Sequence, residues 1–240
     1  MKVAFVGKGG AGKSAIAGTL CRHLARRGER VLALDLDTMA GLALSIGLGY
    51  ESARLPTGLA ERVEGKGWQV RRGMRPSVLV DRYARIGPDG VGFLELGKLP
   101  GQVEPPVTVA FRYVLEGFRR KHWSMIADLA AGTRQPMFGW ADFARTILVV
   151  ADPSAKSTLT ARRLAKAGVG TFLVANKIES EADLAAMQAA VPLPLLGWVP
   201  RDMALYAAES QGRAPIDADP EAPAVRAVGD LATRLQELAA

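Results

Sequence analysis

The sequence contains very little cysteine: Cys21 is the single cysteine in 240 residues. One cysteine excludes an internal disulfide framework and is typical of a chain that works in a reducing compartment. A thiolate metal site needs at least two sulfur ligands close together, so such a site within one chain is disfavoured. Cys21 lies inside the first predicted helix, where we expect a small core residue.

Long apolar runs are also missing. No stretch approaches the ~20 apolar residues of a membrane span, and Lys8 with its neighbouring glycines interrupts the first apolar stretch at once. The sequence therefore predicts a cytoplasmic protein without a transmembrane segment. Its 49% hydrophobic content is sufficient for one large core, and we expect a single domain over residues 1–240.

Acidic residues are in deficit. Lysine and arginine number 31 against 24 aspartates and glutamates, which gives a formal net charge of +7. Most of the excess lies between Arg54 and Arg85, where eight basic residues accompany three acidic ones. Such a stretch is typical of a solvated face, and it is also suited to contact an acidic partner, nucleic acid or a membrane.

What the sequence does have is a regular alternation of apolar strands and helices. Strands are predicted at 2–6, 30–35, 123–128, 146–150, 171–176 and 193–199. Helices are predicted at 13–27, 107–120, 154–167, 180–190 and 221–238. This order predicts an α/β fold in which helices flank a mostly parallel, twisted sheet.

Residues 68–97 interrupt that alternation. The segments SVLVDRYARI, GPDG and VGFLEL predict a small β-hairpin with a Pro/Gly turn. We expect the basic region at about 50–105 to be an elaboration on the α/β core.

A glycine-rich loop follows the first strand. Residues 7–14, GKGGAGKS, fit the pattern G-x-x-x-x-G-K-[S/T] between a strand and a helix, which is the context that a P-loop requires. Glycines let several backbone N–H groups converge on one anion, and the helix start adds its positive dipole end. Lys13 is expected to reach the β- and γ-phosphates, and Ser14 to ligate Mg²⁺. The predicted nucleotide-binding loop residues are Gly7, Gly9, Gly10, Ala11, Gly12, Lys13, Ser14 and Ala15.

Carboxylates stand at the ends of two predicted strands. Asp35 and Asp37 close the second strand, and Asp128 closes the strand WSMIAD. Ligands of open α/β sheets bind at the carboxyl ends of strands, so we expect these groups near the phosphates. Side-chain alternation places Asp35 and Asp37 on one side, although two aspartates before a helix are also typical of capping.

Lys8 is a second lysine in a loop that already has its phosphate-binding lysine. The resulting KGGAGKS resembles the deviant Walker A motif of the superfamily of ParA, MinD and the nitrogenase iron protein. The resemblance implies a P-loop ATPase that dimerises face to face with ATP and Mg²⁺. It also implies that Lys8 crosses to the nucleotide of the partner, as an arginine finger does.

The same resemblance assigns roles to the strand-end residues. Asp37 would orient or activate the attacking water and belong to the Mg²⁺ site with Ser14 and Asp128, and Asp35 would support Mg²⁺ from nearby. Asp128 would hold Mg²⁺ through water, and the following LAAG resembles the family's second switch segment, with Gly132 as its hinge.

The base side of the site is also implied by the family likeness. Asn176 in VANK is similar to the asparagine that hydrogen-bonds adenine, and Pro200 and Arg201 match the stretch that flanks the base. Glu179 stands where a guanine-selecting motif would place aspartate, so ATP is favoured over GTP. A proline in a loop turn remains the alternative explanation for Pro200.

Several stretches resemble the CooC-like ATPases that mature carbon monoxide dehydrogenase. They are LDLDTMAGLALSIGL, DLAAGT, VVADPSAKSTLTARRLAKAGV and GWVPRDMALYAAESQGRAP. Those ATPases carry a Cys-x-Cys pair that binds metal between subunits, whereas the corresponding ELGKLPGQVEPPVTVAF has no cysteine. Gly41 also stands where family members often have asparagine. A metallochaperone role through cysteine is therefore disfavoured.

Three functions stay open at this point. The first is a maturation or assembly ATPase whose homodimer acts on a client protein. The second, not favoured, is a ParA/MinD-like positioning ATPase that binds DNA or membrane through residues 54–85 and through Arg112, Arg119, Arg120 and Lys121. The third is a nucleotide-binding partner protein with negligible turnover.

Overall fold

The computed structural model describes residues 1–37, 41–49, 53–97, 104–168 and 170–239. Its strands are β1 Lys2–Gly7, β2 Arg30–Asp35, β3 Ala60–Val63, β4 Gly67–Val70, β5 Arg85–Ile86, β6 Gly92–Glu95, β7 Trp123–Asp128, β8 Thr146–Ala151, β9 Thr171–Ile178 and β10 Leu195–Pro200. Its helices are α1 Lys13–Arg26, α2 Leu42–Ser45, α3 Pro76–Tyr83, α4 Pro105–Gly117, α5 Arg134–Met137, α6 Ala155–Leu164, α7 Glu181–Ala190, α8 Met203–Ser210, α9 Pro215–Ala218 and α10 Pro223–Ala239.

One sheet of eight strands organises the described chain. Its order is β10-β9-β8-β1-β7-β2-β6-β5, and all neighbours are parallel except β5 with β6. The predicted mostly parallel sheet flanked by helices is therefore confirmed. The carboxyl ends of β1, β2, β7, β8 and β9 meet at one edge of this sheet, where the candidate site lies.

The core has two layers, one on each face of the sheet. Side chains of β1 alternate between them, with Val3 and Phe5 on one face and Ala4 and Val6 on the other. Helices α1 and α10 cover the first face, and α4, α6 and α7 cover the second. Burial on both faces explains why the central strands are almost continuously apolar.

The segment expected to form the hairpin differs from the prediction in its first half. Residues 76–83 form α3 instead of a strand, whereas an antiparallel hairpin lies just upstream as β3 and β4. Pro76 opens α3 at a position where its missing N–H is not needed, and Leu79 and Val80 bury one side of the helix. The apolar pattern of such a short run is compatible with both a strand and a buried helix, so it does not distinguish the two.

The second half of that segment does turn back on itself. β5 pairs antiparallel with β6 across the turn at Pro88–Gly90, and β6 also joins the main sheet beside β2. β6 therefore belongs to the main sheet itself. In the described part of the chain, no helix is both long and apolar enough to cross a membrane.

Candidate nucleotide site

The glycine-rich loop connects the end of β1 to the start of α1. Gly12 precedes the helix with a φ of 93°, in the left-handed region that favours glycine. Gly7 must also lack a side chain, because a Cβ there would lie 2.3 Å from the Val150 carbonyl oxygen of β8. The loop is thus a glycine-dependent turn held against a neighbouring strand.

Two side chains at the end of β9 hold the loop in this shape. The Nδ2 of Asn176 donates to the Ala11 carbonyl at 2.7 Å, and the Lys177 ammonium donates to the Gly10 carbonyl at 2.7 Å. Asn176 is only 3% exposed, and Lys177 adopts a positive φ of 59°. Because side chains hydrogen-bond these two carbonyls, the backbone N–H groups of the loop stay available to bind an anion. Sequence reasoning missed Lys177, although it directly follows the asparagine that was predicted.

A polar pair lies at the foot of the loop, with Asp128 buried and Ser14 half-buried. The Ser14 hydroxyl donates to Oδ2 of Asp128 at 2.5 Å, and the Lys13 side chain is buried beside it. Burial raises the pKa of the Asp128 carboxyl to about 6, while Lys13 and the Ser14 hydrogen bond act against that rise. Lys13 therefore lies close enough to Asp128 to favour its charged form.

The second oxygen of Asp128 fits a cation. Its Oδ1 is buried and has no hydrogen-bond partner among the described residues. No three His, Cys, Asp or Glu side chains of the described ranges are grouped to hold a metal. A cation that keeps water and phosphate oxygens as ligands, as Mg²⁺ does, matches one hydroxyl and one carboxylate.

The two aspartates after β2 face different surroundings. Asp37 is half-buried and lines the cleft beside the loop. Asp35 is fully buried, and its two oxygens accept the backbone N–H groups of Asp37 at 3.0 Å and Leu42 at 3.1 Å. Burial is the main cause that raises the pKa of Asp35 to about 8, and the nearby negative charge of Asp128 adds to the rise. Asp35 thus shapes the loop that presents Asp37, and its expected role as Mg²⁺ support stays a prediction.

Gln135 connects the loops that follow β2 and β7. Its Oε1 accepts the Ala130 N–H at 2.8 Å, and its Nε2 donates to the Leu36 carbonyl at 2.9 Å. The N–H of Gly132, the predicted hinge, donates to the Gly7 carbonyl at 2.9 Å and does not point to an open phosphate position. Sequence reasoning missed Gln135, because a lone glutamine carries no local signal.

The cleft itself has a volume of about 930 Å³. It brings together most of the predicted binding residues: Gly9, Gly10, Gly12, Lys13, Ser14, Ala15, Asp37, Asn176, Pro200 and Arg201. Gly7 packs against the Val150 carbonyl, and the Ala11 carbonyl accepts the hydrogen bond from Asn176. Asp128 is placed by its hydrogen bond with Ser14. Met203, Leu205 and Tyr206 of α8 add an apolar wall next to Pro200.

Lys8 lies outside this cleft. Its ammonium donates to the neighbouring Gly9 carbonyl at 3.1 Å, and its side chain lines a separate surface depression with Asp152 and Glu179. Two further expectations cannot be placed. Residues 38–40, which directly follow Asp37, and residues 98–103, in the region compared with the Cys-x-Cys pair, lie outside the described residues.

Comparison of the sequence with known proteins finds a matching nucleotide-binding family and similar relatives. Residues 3–216 match the family described as the CobQ/CobB/MinD/ParA nucleotide binding domain. The carbon monoxide dehydrogenase accessory protein CooC of Rhodospirillum rubrum is 32% identical, over 92% of this chain and 91% of that protein. An uncharacterized ATP-binding protein of Methanocaldococcus jannaschii is 28% identical, over 92% and 93% respectively.

A solved structure shares the fold. The septum site-determining protein MinD of Pyrococcus horikoshii, complexed with Mg-ADP, matches with a TM-score of 0.73 at 22% identity. The match covers 99% of this chain and 96% of that one. It confirms the predicted P-loop NTPase fold class.

Proposed function

The chain belongs to the CobQ/CobB/MinD/ParA nucleotide-binding family, as its motifs predicted, and on that premise we propose that it is a Mg-ATP-dependent ATPase that works as a homodimer. Its single domain couples ATP binding and hydrolysis to action on a client protein, in the manner of a CooC-like maturation factor. The observation that carries the proposal is the hydrogen bond from Ser14 to the buried Asp128 beneath a glycine loop, with one Asp128 oxygen that has no hydrogen-bond partner among the described residues.

The triphosphate binds along the glycine loop. Backbone N–H groups of the loop and the first turn of α1 surround the phosphates, and the Lys13 ammonium neutralises the β- and γ-oxygens. Ser14 and Asp128 hold Mg²⁺, which when bound neutralises charge that develops on the transferred phosphoryl group. Lys13 is almost wholly buried, so its charge acts on the phosphates with little screening from water.

Asp37 is the residue that orients the attacking water. It lines the cleft near the end of the loop, and its backbone is held by Asp35. Since Asp35 is buried and fully hydrogen-bonded, the position of Asp37 is restrained before substrate arrives.

Lys8 completes the site of the other subunit. Among the described residues, the Lys8 ammonium of a chain hydrogen-bonds the Gly9 carbonyl alone, and Lys8 does not line the cleft. A lysine that projects from the phosphate loop away from its own nucleotide is suited to reach one bound by a facing copy. Such a charge supplied in trans contributes ~10³–10⁵ in turnover in related phosphoryl transfers.

The base lies toward β9 and α8. Asn176 uses Nδ2 on the loop, which leaves its Oδ1 as an acceptor for the exocyclic amine of adenine. Pro200 and Arg201 flank the base at the end of β10. Arg201 is already paired with Glu179 at 2.6 Å, so this carboxylate is engaged and is not free to read guanine.

The test is the pair of variants Lys8→Ala and Lys66→Ala, the second being an exposed lysine remote from the loop. Lys8→Ala should bind a fluorescent ATP analogue normally and lose turnover, whereas Lys66→Ala should behave as the parent. Turnover per chain in the parent should rise with protein concentration, because two copies form each active site. Hydrolysis by Lys8→Ala at the parent rate would show that the proposed role in trans is wrong.

A mixing experiment sharpens this result. Lys13→Ala removes phosphate binding from one chain but leaves its Lys8 intact. Turnover that appears when Lys8→Ala and Lys13→Ala chains are mixed, and that neither has alone, requires a lysine donated across an interface.

A further inference from the structure

The edge of the sheet opposite the nucleotide cleft carries a cluster of positive charge. Strands β1 and β7 end at the cleft with Gly7 and Asp128, so their first residues, Lys2 and Trp123, lie at the opposite edge. Lys2, Arg119, Arg120, Lys121 and Arg145 gather there, and we refer to them as the basic edge.

Proximity within the basic edge is visible in several contacts. The Arg145 backbone N–H donates to the Lys2 carbonyl at 3.0 Å, which places the two side chains at the starts of adjacent strands. Burial lowers the pKa of the Lys2 ammonium, and the positive charges of Arg119 and Arg145 lower it further. Arg119, Lys121 and Arg145 are exposed to solvent.

Little negative charge in the described chain balances this cluster. Arg120 forms a two-pronged ion pair with Asp81, at 2.8 and 2.5 Å. Lys2, Lys121 and Arg145 have no carboxylate within ion-pair distance among the described residues. In the described ranges, the Arg119 side chain donates a hydrogen bond to the carbonyl of the preceding Phe118 and to no other group. Most of the basic edge is therefore available to an external anion.

The basic edge surrounds a cleft of about 310 Å³ with an aromatic wall. The Arg120 guanidinium lies 5.6 Å from the centre of the Trp123 ring, and Trp123 meets Phe118 edge to face at 5.6 Å. Asp81 thus already shows how a carboxylate docks on a guanidinium that an aromatic ring holds in place. Arginine and tryptophan together are the residues that most often anchor a protein partner.

We propose that the basic edge is a docking surface for an acidic segment of a partner protein. The charges extend over two strand spacings, about 10 Å, and carboxylates on alternate residues of an extended chain recur every ~7 Å. Two or three such carboxylates match the basic edge. A nucleic-acid duplex would extend further and meet Asp81 and Glu29, which border the cluster.

This inference names a class of partner for the client of the proposed function, and in that respect it rests on that function. The two can fail separately. ATP turnover without a partner tests the site, and partner binding without nucleotide tests the basic edge. Lys121 and Arg145 take no part in the nucleotide site, so charge reversal there should leave basal turnover unchanged.

The experiment uses the full chain and a fluorescein-labelled peptide of alternating glutamate and alanine. Fluorescence anisotropy should show binding that weakens with added salt, and a peptide with glutamine in place of glutamate should not bind. The variant Lys121→Glu/Arg145→Glu should weaken binding by about tenfold or more, because both reversals face the incoming carboxylates. The matched control, Arg62→Glu/Lys66→Glu, changes the net charge equally on the exposed β3–β4 hairpin and should retain binding within about twofold.

Either of two results would overturn the proposal. Equal weakening in the two double variants would mean that the peptide responds to net charge alone. Displacement of the peptide by a short DNA duplex at lower concentrations than the unlabelled peptide needs would assign the surface to nucleic acid. Thermal unfolding of both variants, expected to match the parent, establishes that each is folded.

Discussion

Replacing Gly12 by alanine tests whether the phosphate loop is held by Asn176. A Cβ on Gly12 would lie 2.2 Å from the Asn176 Nδ2, the atom that donates to the Ala11 carbonyl. The left-handed φ of 93° costs an alanine ~1–2 kcal/mol. Moving the amide aside leaves the carbonyl and the buried Nδ2 unpaired, at about 1–3 kcal/mol more. The free energy of unfolding should therefore fall by roughly 2–5 kcal/mol.

Gly10 offers a matched control in the same loop. It also has a positive φ, of 78°, but an added Cβ would meet no atom of the described residues within 4 Å. Gly10→Ala should lose only the conformational cost of ~1–2 kcal/mol. In an Asn176→Ala background the clash disappears, so Gly12→Ala should cost no more than Gly10→Ala does.

Urea unfolding of the nucleotide-free protein measures each of these costs. The double-mutant cycle between Gly12 and Asn176 should show a coupling of about 1–3 kcal/mol, well above the ~0.5 kcal/mol scatter of independent sites. Gly12→Ala should also weaken binding of an ATP analogue more than Gly10→Ala does. Additive losses in the cycle, or equal losses for the two glycines, would refute the reasoning.

Three other outcomes are expected. Asp37→Ala should bind ATP but not hydrolyse it, so that gel filtration with ATP shows a longer-lived dimer than the parent; an unchanged monomer would count against the water-positioning role. Burial raises the pKa of Asp128 from 3.8 to about 6, so the metal-free protein should lose up to about 3 kcal/mol of stability as pH rises from 4 to 7. Asp128→Asn should make that part of the profile shallower in urea unfolding at a series of pH values, with the raised pKa of Asp35 supplying the slope that remains, and an unaltered slope would contradict the assignment. Gln135→Leu should lose about 2 kcal/mol of stability, for two hydrogen bonds, and slow turnover more than it weakens ATP binding. Gln135→Glu keeps the acceptor for Ala130, so it should lose about half as much stability, and equal losses would exclude separate contributions from the two bonds.

The sign of the pH effect follows from the raised pKa. A carboxyl that holds its proton more tightly in the folded state than in the unfolded state stabilises the fold fully below pH 3.8. That stability is lost as pH rises through about 6. A cation bound to Asp128 removes the penalty, so Mg-ATP should restore stability most strongly near neutral pH.

The success of sequence reasoning depended on how local each signal was. Strands β1, β2 and β7 and helix α1 were predicted nearly to the residue, because apolar runs and the glycine loop define their ends. Helix α3 was missed, since a short apolar run becomes a helix or a strand according to what it packs against. Here α3 packs against α4, which follows it in the chain.

The candidate site shows the same division. Most of the predicted loop residues and Asp37 line one cleft, because parallel strands end at a common edge. The sequence could not assign Asp35, whose oxygens are used by backbone N–H groups of the following loop. Nor could it indicate Gln135, whose two hydrogen bonds matter only because the loops after β2 and β7 are adjacent.

The sequence alone determined the α/β class, the phosphate loop and the strand-end carboxylates, since each follows from spacing within a few neighbouring residues. Only the tertiary structure decided that Asn176 holds a carbonyl 165 residues away, that Lys8 faces out of its own cleft, and that residues 2, 119–121 and 145 form one basic edge. Local sequence patterns reflect the backbone preference of each segment and which of its faces is buried. Contacts between distant residues depend on strand order and on packing across the sheet, which are properties of the whole folded chain.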